Sequence, residues 1–248
     1  MIETQELTRY FGDFCAVDYL KLQVRPGELY GFLGMNGAGK TTTIRMIVGL
    51  LKPTSGTATI LGHDIQQQPL EAKRRFGYLA QTPYLYDNLT GREFLFFLGG
   101  LHHIRPQALQ DRSEALLQQL DLTDKADQLI GSYSGGMRRK IALCGTLLHQ
   151  PDVLILDEPF AGLDPLSARH VKDMLQDFYE AGKSVLMSTH TLEIAERVCT
   201  RLGIIKQGQL IAEGTLDGLR KGQTDETLED LFISLTADQT MTEIVAQL

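Results

Sequence analysis

Cysteine is scarce in this sequence of 248 residues: Cys15, Cys144 and Cys199 are far apart and odd in number. They have neither the paired spacing of a zinc site nor a redox motif, so a disulfide scaffold is excluded and free thiols in a reducing compartment are the expectation. Long apolar runs are missing as well. The strongest, Phe94-Leu95-Phe96-Phe97-Leu98, is far short of the roughly 20 residues that a spanning helix needs. The opening Met1-Ile2-Glu3-Thr4 does not read as a signal peptide. Basic residues are outnumbered, 24 against 31 acidic, for a formal charge of −7, so a nucleic-acid-coating surface is not expected. No internal repeat and no low-complexity tract occurs. Of the six histidines, His63, His102, His103, His149 and His170 have no partners at useful spacing. His102 and His103 are adjacent, and helical neighbours do not share a face, so packing or surface roles are expected for these five.

What is present centres on Gly34-Met35-Asn36-Gly37-Ala38-Gly39-Lys40-Thr41, which has the glycine, four spacers, glycine, lysine and hydroxyl pattern of a P-loop. The β-prone run Glu28 to Leu33 precedes it and a helical run from Thr42 to Gly49 follows. Glycines let consecutive N–H groups face phosphate oxygens, and a helix beginning near Gly39 adds the positive end of its dipole. Lys40 supplies a point charge for the β- and γ-phosphates. The Thr41 hydroxyl is placed for Mg²⁺, and Thr42 lies near the β-phosphate end. A second sharp signal is Val153-Leu154-Ile155-Leu156-Asp157-Glu158. Four apolar residues mark a strand buried on both faces, and two carboxylates at its end are not there for packing. This is a Walker B pattern, with Asp157 for Mg²⁺ and Glu158 to polarise an attacking water.

The other segments are quieter. Residues 2 to 33 read as β structure with a turn at Arg25-Pro26-Gly27-Glu28. Tyr10 and Phe11 put aromatics at a strand end, where either a base could stack or core packing is served. Phe76 to Ala80 is strand-like and delivers Gln81 at its carboxyl end, where α/β sheets place ligand contacts. From Thr82 to Gln150 the pattern is helical, opened by Thr90 and Glu93 at capping-box spacing. Ser134 can N-cap the helix carrying Met137, Ile141, Cys144 and Leu148, and Arg138 and Arg139 read as a solvated face. Gly162-Leu163-Asp164-Pro165 opens a helix to Glu180. The strand Lys183 to Ser188 delivers Thr189-His190, a hairpin covers Ile204 to Gly214, and the tail from Thr224 has Leu228, Leu231, Phe232 and Leu235 at helical spacing.

In order, the P-loop, Gln81, Tyr133-Ser134-Gly135-Gly136-Met137, Asp157-Glu158, Asp164 and His190 resemble the full motif series of the ATP-binding subunit of ABC transporters, over about the first 220 residues. The resemblance implies an α/β P-loop NTPase core with a mixed, largely parallel sheet, an N-terminal antiparallel β region and a helical subdomain. Its bounds are a cassette over 1–221 (core 1–82 and 151–221, helical subdomain about 83–150) and a C-terminal helical tail over 222–248. It implies ATP and Mg²⁺ as cofactors. Gln81 matches a loop that contacts Mg²⁺ or water and senses a membrane subunit. Ser134, Gly135 and Gly136 match signature positions that reach ATP held by the opposite subunit. Asp164 matches an aspartate at the dimer interface, and His190 matches a switch histidine on the γ-phosphate. Phe11, directly before Gly12-Asp13, best matches the adenine-stacking aromatic, with Tyr10 the alternative. Catalytic roles fall to Glu158, His190 and Lys40. Tyr133 and Met137 depart from the usual leucine and glutamine, and together with Arg138-Arg139 and the ending Leu228 to Thr236 they are similar to subunits of export-type permeases.

With one P-loop and one signature in the chain, a homodimer is implied, working with a separate integral membrane permease and no nucleic acid. The expected location is the cytoplasmic face of the cell membrane, held there through the permease. Phe94, Phe96 and Phe97 and the loop after Gln81 are candidates for receiving it, although filling the core of the helical insert is the stronger reading for Phe94 and Phe97. A regulatory ATPase of the same type acting on ribosomes or other soluble assemblies is the alternative function.

Overall fold

The computed structural model describes residues 1–220 and 227–236; the rest of the expected C-terminal tail lies outside the described residues. The chain opens with β1 (Ile2–Phe11), β2 (Phe14–Leu20), β3 (Gln23–Val24) and β4 (Leu29–Leu33), then α1 (Lys40–Ile47), β5 (Ser55–Ile60), β6 (His63–Asp64), α2 (Pro69–Lys73) and β7 (Phe76–Leu79). Three longer helices follow: α3 (Gly91–Leu101), α4 (Pro106–Gln119) and α5 (Gly135–Leu147). The chain then alternates through β8 (Val153–Asp157), α6 (Pro165–Glu180), β9 (Ser184–Thr189), α7 (Leu192–Val198), β10 (Arg201–Lys206) and β11 (Gln209–Gly214). The short α8 (Leu216–Leu219) and α9 (Leu228–Thr236) complete it.

Two sheets result. An antiparallel sheet runs β2-β1-β5-β6, with β3 also paired to β1. The second runs β11-β10-β4-β9-β8-β7; its pairings are parallel apart from the edge hairpin β10–β11. Every residue of β4, β8 and β9 is buried, as strands covered on both faces must be. Ile2, Val24, Ile60, Phe32, Ile47 and Ile155 fill the space between the two sheets and α1. Leu95, Leu117, Ile141, Leu156 and Leu175 form the core beneath the helices on the other face.

Helix starts follow local chemistry. Thr90 and Glu93 close the capping box at α3: the Thr90 hydroxyl accepts from the Glu93 N–H at 3.2 Å and the Glu93 carboxylate accepts from the Thr90 N–H at 2.8 Å. Ser134 caps α5 through the Met137 N–H, as its sequence position suggests. Asp164 caps α6 by accepting from the Leu166 and Ser167 N–H groups, both at 3.0 Å, with Pro165 in the first turn. No helix among the described residues is long and apolar enough to cross a membrane.

One expectation about packing changes. Phe94 is buried, but Phe97 is 42% exposed and meets Tyr86 edge-on at 5.3 Å, because its place on α3 faces the loop after β7 rather than the helical core. His149 and His102 are not independent surface groups: their rings stack at 4.1 Å and the His149 Nε2 lies 3.0 Å from the Phe76 carbonyl. Burial, followed by the His102 ring, pushes the His149 imidazole down to about 4. Between its unfolded value near 6.5 and about 4, the unfolded chain takes up a proton that the folded chain refuses. Stability therefore falls as pH drops through that window, by at most about 1.4 kcal/mol per pH unit. Replacing His149 with glutamine is expected to remove that part of the loss, read as the difference between variant and parent urea midpoints at about pH 7 and about pH 5.

Candidate functional site

Four neighbouring parallel strands, β4-β9-β8-β7, bring their carboxyl ends to one edge of the sheet. Leu33 pairs with Thr189, Asp157 with Ser188 and Leu79 with Leu156. The residues that follow are the P-loop after β4, His190 after β9, Glu158 after β8 and Gln81 after β7. One register thus collects motifs that lie far apart in the chain, at the edge where open α/β sheets bind ligands.

A cavity of about 500 Å³ opens there, lined by Phe11, Asn36, Gly37, Gly39, Lys40, Thr41, Thr42, Gln81 and Glu158, with Phe14, Ala16 and Met35. The loop's curvature rests on glycine. Gly39 N-caps α1 at φ 110°, and a Cβ there would meet the Ala16 carbonyl at 2.6 Å. At Gly34 a Cβ would meet Ile205 at 2.7 Å, so the loop can pass β10 only without a side chain. Lys40 is buried and folded into the loop, its Nζ donating to the carbonyls of Gly34 at 2.6 Å and Met35 at 3.2 Å. Burial holds its ammonium below the usual lysine range; Glu158 and then Asp157 oppose that shift.

Asp157 is fully buried. Its Oδ1 accepts from the Ser188 hydroxyl at 2.5 Å, while its Oδ2 is buried with no hydrogen-bond partner among the described residues. A buried carboxylate oxygen without a donor is costly. A hard divalent cation is a ligand that would satisfy it, and Thr41 on the cavity wall offers a hydroxyl as a second oxygen ligand; these residues fit Mg²⁺. Glu158 is buried and holds a left-handed backbone, φ 54°. Its N–H donates to the Ser188 hydroxyl and carbonyl, both at 3.2 Å, and its Oε1 accepts from His190 Nδ1 at 2.8 Å. His190 itself stays largely open to solvent. The arrangement is a carboxylate on the wall of the P-loop cavity with an imidazole hydrogen-bonded to it, the geometry of a base or water-orienting group.

Phe11 lies on the cavity wall, half exposed, with the Arg9 guanidinium 4.6 Å from its ring centroid. Tyr10, the alternative, lines no part of the cavity. Ser134, Gly135, Gly136 and Asp164 are not brought to this cavity. They gather at a separate surface: a Cβ on Gly136 would sit 3.5 Å from the Gly162 carbonyl, beside the loop that Asp164 ends. The Asp164 carboxylate is engaged by its own helix and by the Ser167 hydroxyl at 2.6 Å, which holds it below the usual carboxylate range.

Three residues of the site were not legible in the sequence. Ser188 meets the Asp157 carboxylate and the Glu158 N–H; its signal was a hydroxyl in a strand otherwise made for burial. Phe14, the register partner of Phe11 across the β1–β2 turn, adds a second aromatic to the wall. Arg139 corrects the reading of Arg138 and Arg139 as a solvated face. Its Nη1 donates to the Glu158 carbonyl and its Nη2 to the Gln81 carbonyl, each at 2.6 Å. Arg138 donates to Asp87 Oδ1 at 2.6 Å and to the Ile130 carbonyl at 3.1 Å. Both guanidiniums turn inward because carbonyls at loop ends lie within reach of α5.

Known proteins share this pattern. The family model described as "ABC transporter" matches residues 17–161. The probable multidrug ABC transporter ATP-binding protein YbhF of Escherichia coli is 40% identical over 243 residues, covering 96% of this chain and 42% of the relative, so this chain spans less than half of that protein's length. The Nod factor export ATP-binding protein I of Burkholderia lata is 41% identical over 214 residues, covering 86% and 70%. A solved structure described as the ATP-binding subunit of an ABC transporter superposes with a TM-score of 0.89 at 32% identity, covering 95% of this chain and 99% of that one.

Proposed function

This chain belongs to the ABC transporter family, and we propose that it is the ATP-hydrolysing subunit of an exporter, closing head to tail on a second copy over two ATPs and driving a separate membrane permease. The observation that carries the reading is the division of the motifs. The P-loop, Glu158 and His190 meet at one edge of the sheet, whereas Ser134, Gly135 and Gly136 lie on another surface of the same chain. A site needing both halves needs two cassettes.

In this scheme the P-loop N–H groups and Lys40 hold the β- and γ-phosphates, and Phe11 stacks on the adenine. Thr41, Gln81 and Asp157 would hold Mg²⁺, which when bound neutralises phosphate charge. Glu158 takes the proton of the attacking water or orients it, and His190 steadies that carboxylate and faces the γ-phosphate. The second copy's signature segment, matching Ser134, Gly135 and Gly136, would present its helix N-terminus to the γ-phosphate. Asp164 would stand at the dimer interface.

The permease would bind where α3 and the loop after Gln81 expose aromatic side chains: Tyr84, Tyr86, Phe96 and Phe97 are all at least 39% exposed. This seats the subunit on the cytoplasmic face of the membrane. Export is the direction because the relatives are described as a multidrug transporter subunit and a Nod factor export protein. The test is a pulldown of the tagged chain from detergent-solubilised membranes of its source. A multi-span permease is the expected companion; ribosomes or another soluble particle would overturn the transport reading.

A further inference from the structure

We propose that Arg139 is a positioning residue that clamps the catalytic carboxylate to the segment after β7, so that a pull on Gln81 is felt at Glu158. The inference rests on the assignment of Glu158 as the group that activates water.

Glu158 is held in a left-handed backbone conformation, φ 54°, that a glutamate rarely adopts, and at functional sites such conformations persist where the surroundings over-determine them. Here the restraints can be named. The N–H is held by Ser188, the carboxylate meets His190, and the carbonyl accepts from the local Ala161 N–H at 3.2 Å and from Arg139 at 2.6 Å. Ser188 and His190 both come from the end of β9 and its following residue. Arg139 alone comes from the helical half of the molecule, and its second arm holds the Gln81 carbonyl. A guanidinium has a planar fork, so two carbonyls held by its two terminal nitrogens are held relative to one another. Without Arg139 the Glu158 carbonyl keeps only the longer bond from the Ala161 N–H of its own turn, so the turn is no longer tied to the helical half and can shift, carrying the Cα–Cβ bond and the carboxylate with it. Arg139 is partly buried, and Glu158 and Asp157 are the acidic charges that act on it. Arg138, one residue earlier, supplies the natural comparison. It fixes Asp87 and Ile130, touching neither Gln81 nor Glu158.

The experiment is steady-state ATP hydrolysis by the intact chain and its R139A, R139K and R138A variants. A misplacement of the order of 1 Å costs about 10²-fold, so R139A is expected to lose about that much kcat while KM for ATP stays within about threefold. R139K keeps the charge but reaches one carbonyl at a time, and should recover only part of the loss. R138A should stay within about threefold of the parent. Added guanidinium should partly restore R139A and leave E158Q unchanged. A kcat for R139A within about twofold of the parent, or equal losses in R139A and R138A, would overturn the proposal. Amide hydrogen exchange without nucleotide keeps the two readings apart. Faster exchange at 81–82 and 158–161, away from the Asp87 that Arg138 holds, in R139A than in R138A supports the clamp even where E158Q hydrolyses normally and the Glu158 assignment fails. Equal exchange in the two variants overturns the clamp.

Discussion

Glutamine in place of Glu158 is expected to leave a protein that still binds ATP and turns it over about 10²–10⁴-fold more slowly, the usual cost of losing a general base. The substitution is nearly isosteric, and the backbone restraints on residue 158 from Ser188 and Arg139 do not involve its side chain. The fold and the phosphate cradle should survive. What disappears is a carboxylate on the wall of the P-loop cavity, hydrogen-bonded to His190. Fluorescent-nucleotide binding alongside phosphate release measures both halves of the claim. Near-normal turnover would remove Glu158 from the mechanism, and lost binding would show that its charge mainly holds the loop.

The second large effect concerns Gly135. A Cβ built there meets nothing within 4 Å, and an acidic residue in the first turn of a helix is electrostatically welcome. G135D should therefore fold and bind ATP as the parent does. Its carboxylate would nevertheless stand at the helix end that the proposed scheme presents to the other copy's γ-phosphate. Hydrolysis should fall about 10²–10³-fold, as when preorganised donors are lost from a site where charge develops. K40A should be inactive for a different reason, loss of the ammonium buried in its own P-loop. Mixed together, the two inactive proteins form dimers in which one site has an intact P-loop facing an intact signature, and activity should return. Activity that never returns, although mixed dimers form, would sink the two-chain site.

The residues legible in the sequence were those whose chemistry narrows the choice of residue type. A phosphate cradle needs glycines, a lysine and a hydroxyl in close order, and packing alone does not end a buried strand in Asp157-Glu158. The capping box at Thr90 and the cap at Ser134 were readable for the same reason, since both are local. Arg139 was not, because its meaning depends on carbonyls 19 and 58 residues away. Ser188 meets Asp157 across a strand pairing that no local pattern announces. Phe97 shares the spacing of Phe94, and only the path of the loop after β7 decides which of them faces solvent.

The order of strands in the parallel sheet also bears on how the protein is made. β4, which launches the P-loop, pairs with β9 and β10, so that Leu29 waits for Val185 and Tyr30 for Arg201. During synthesis the P-loop strand leaves the ribosome long before either neighbour exists, with an apolar surface and both hydrogen-bonding edges open. Such pairings are slow to close and leave aggregation-prone edges exposed meanwhile. A nascent chain stopped before Ser184 has a P-loop sequence yet nothing to hold it beside the carboxylates. In the proposed scheme hydrolysis is thereby withheld until almost the whole cassette has emerged, and chaperone occupancy in that interval should track the exposed edges of β4.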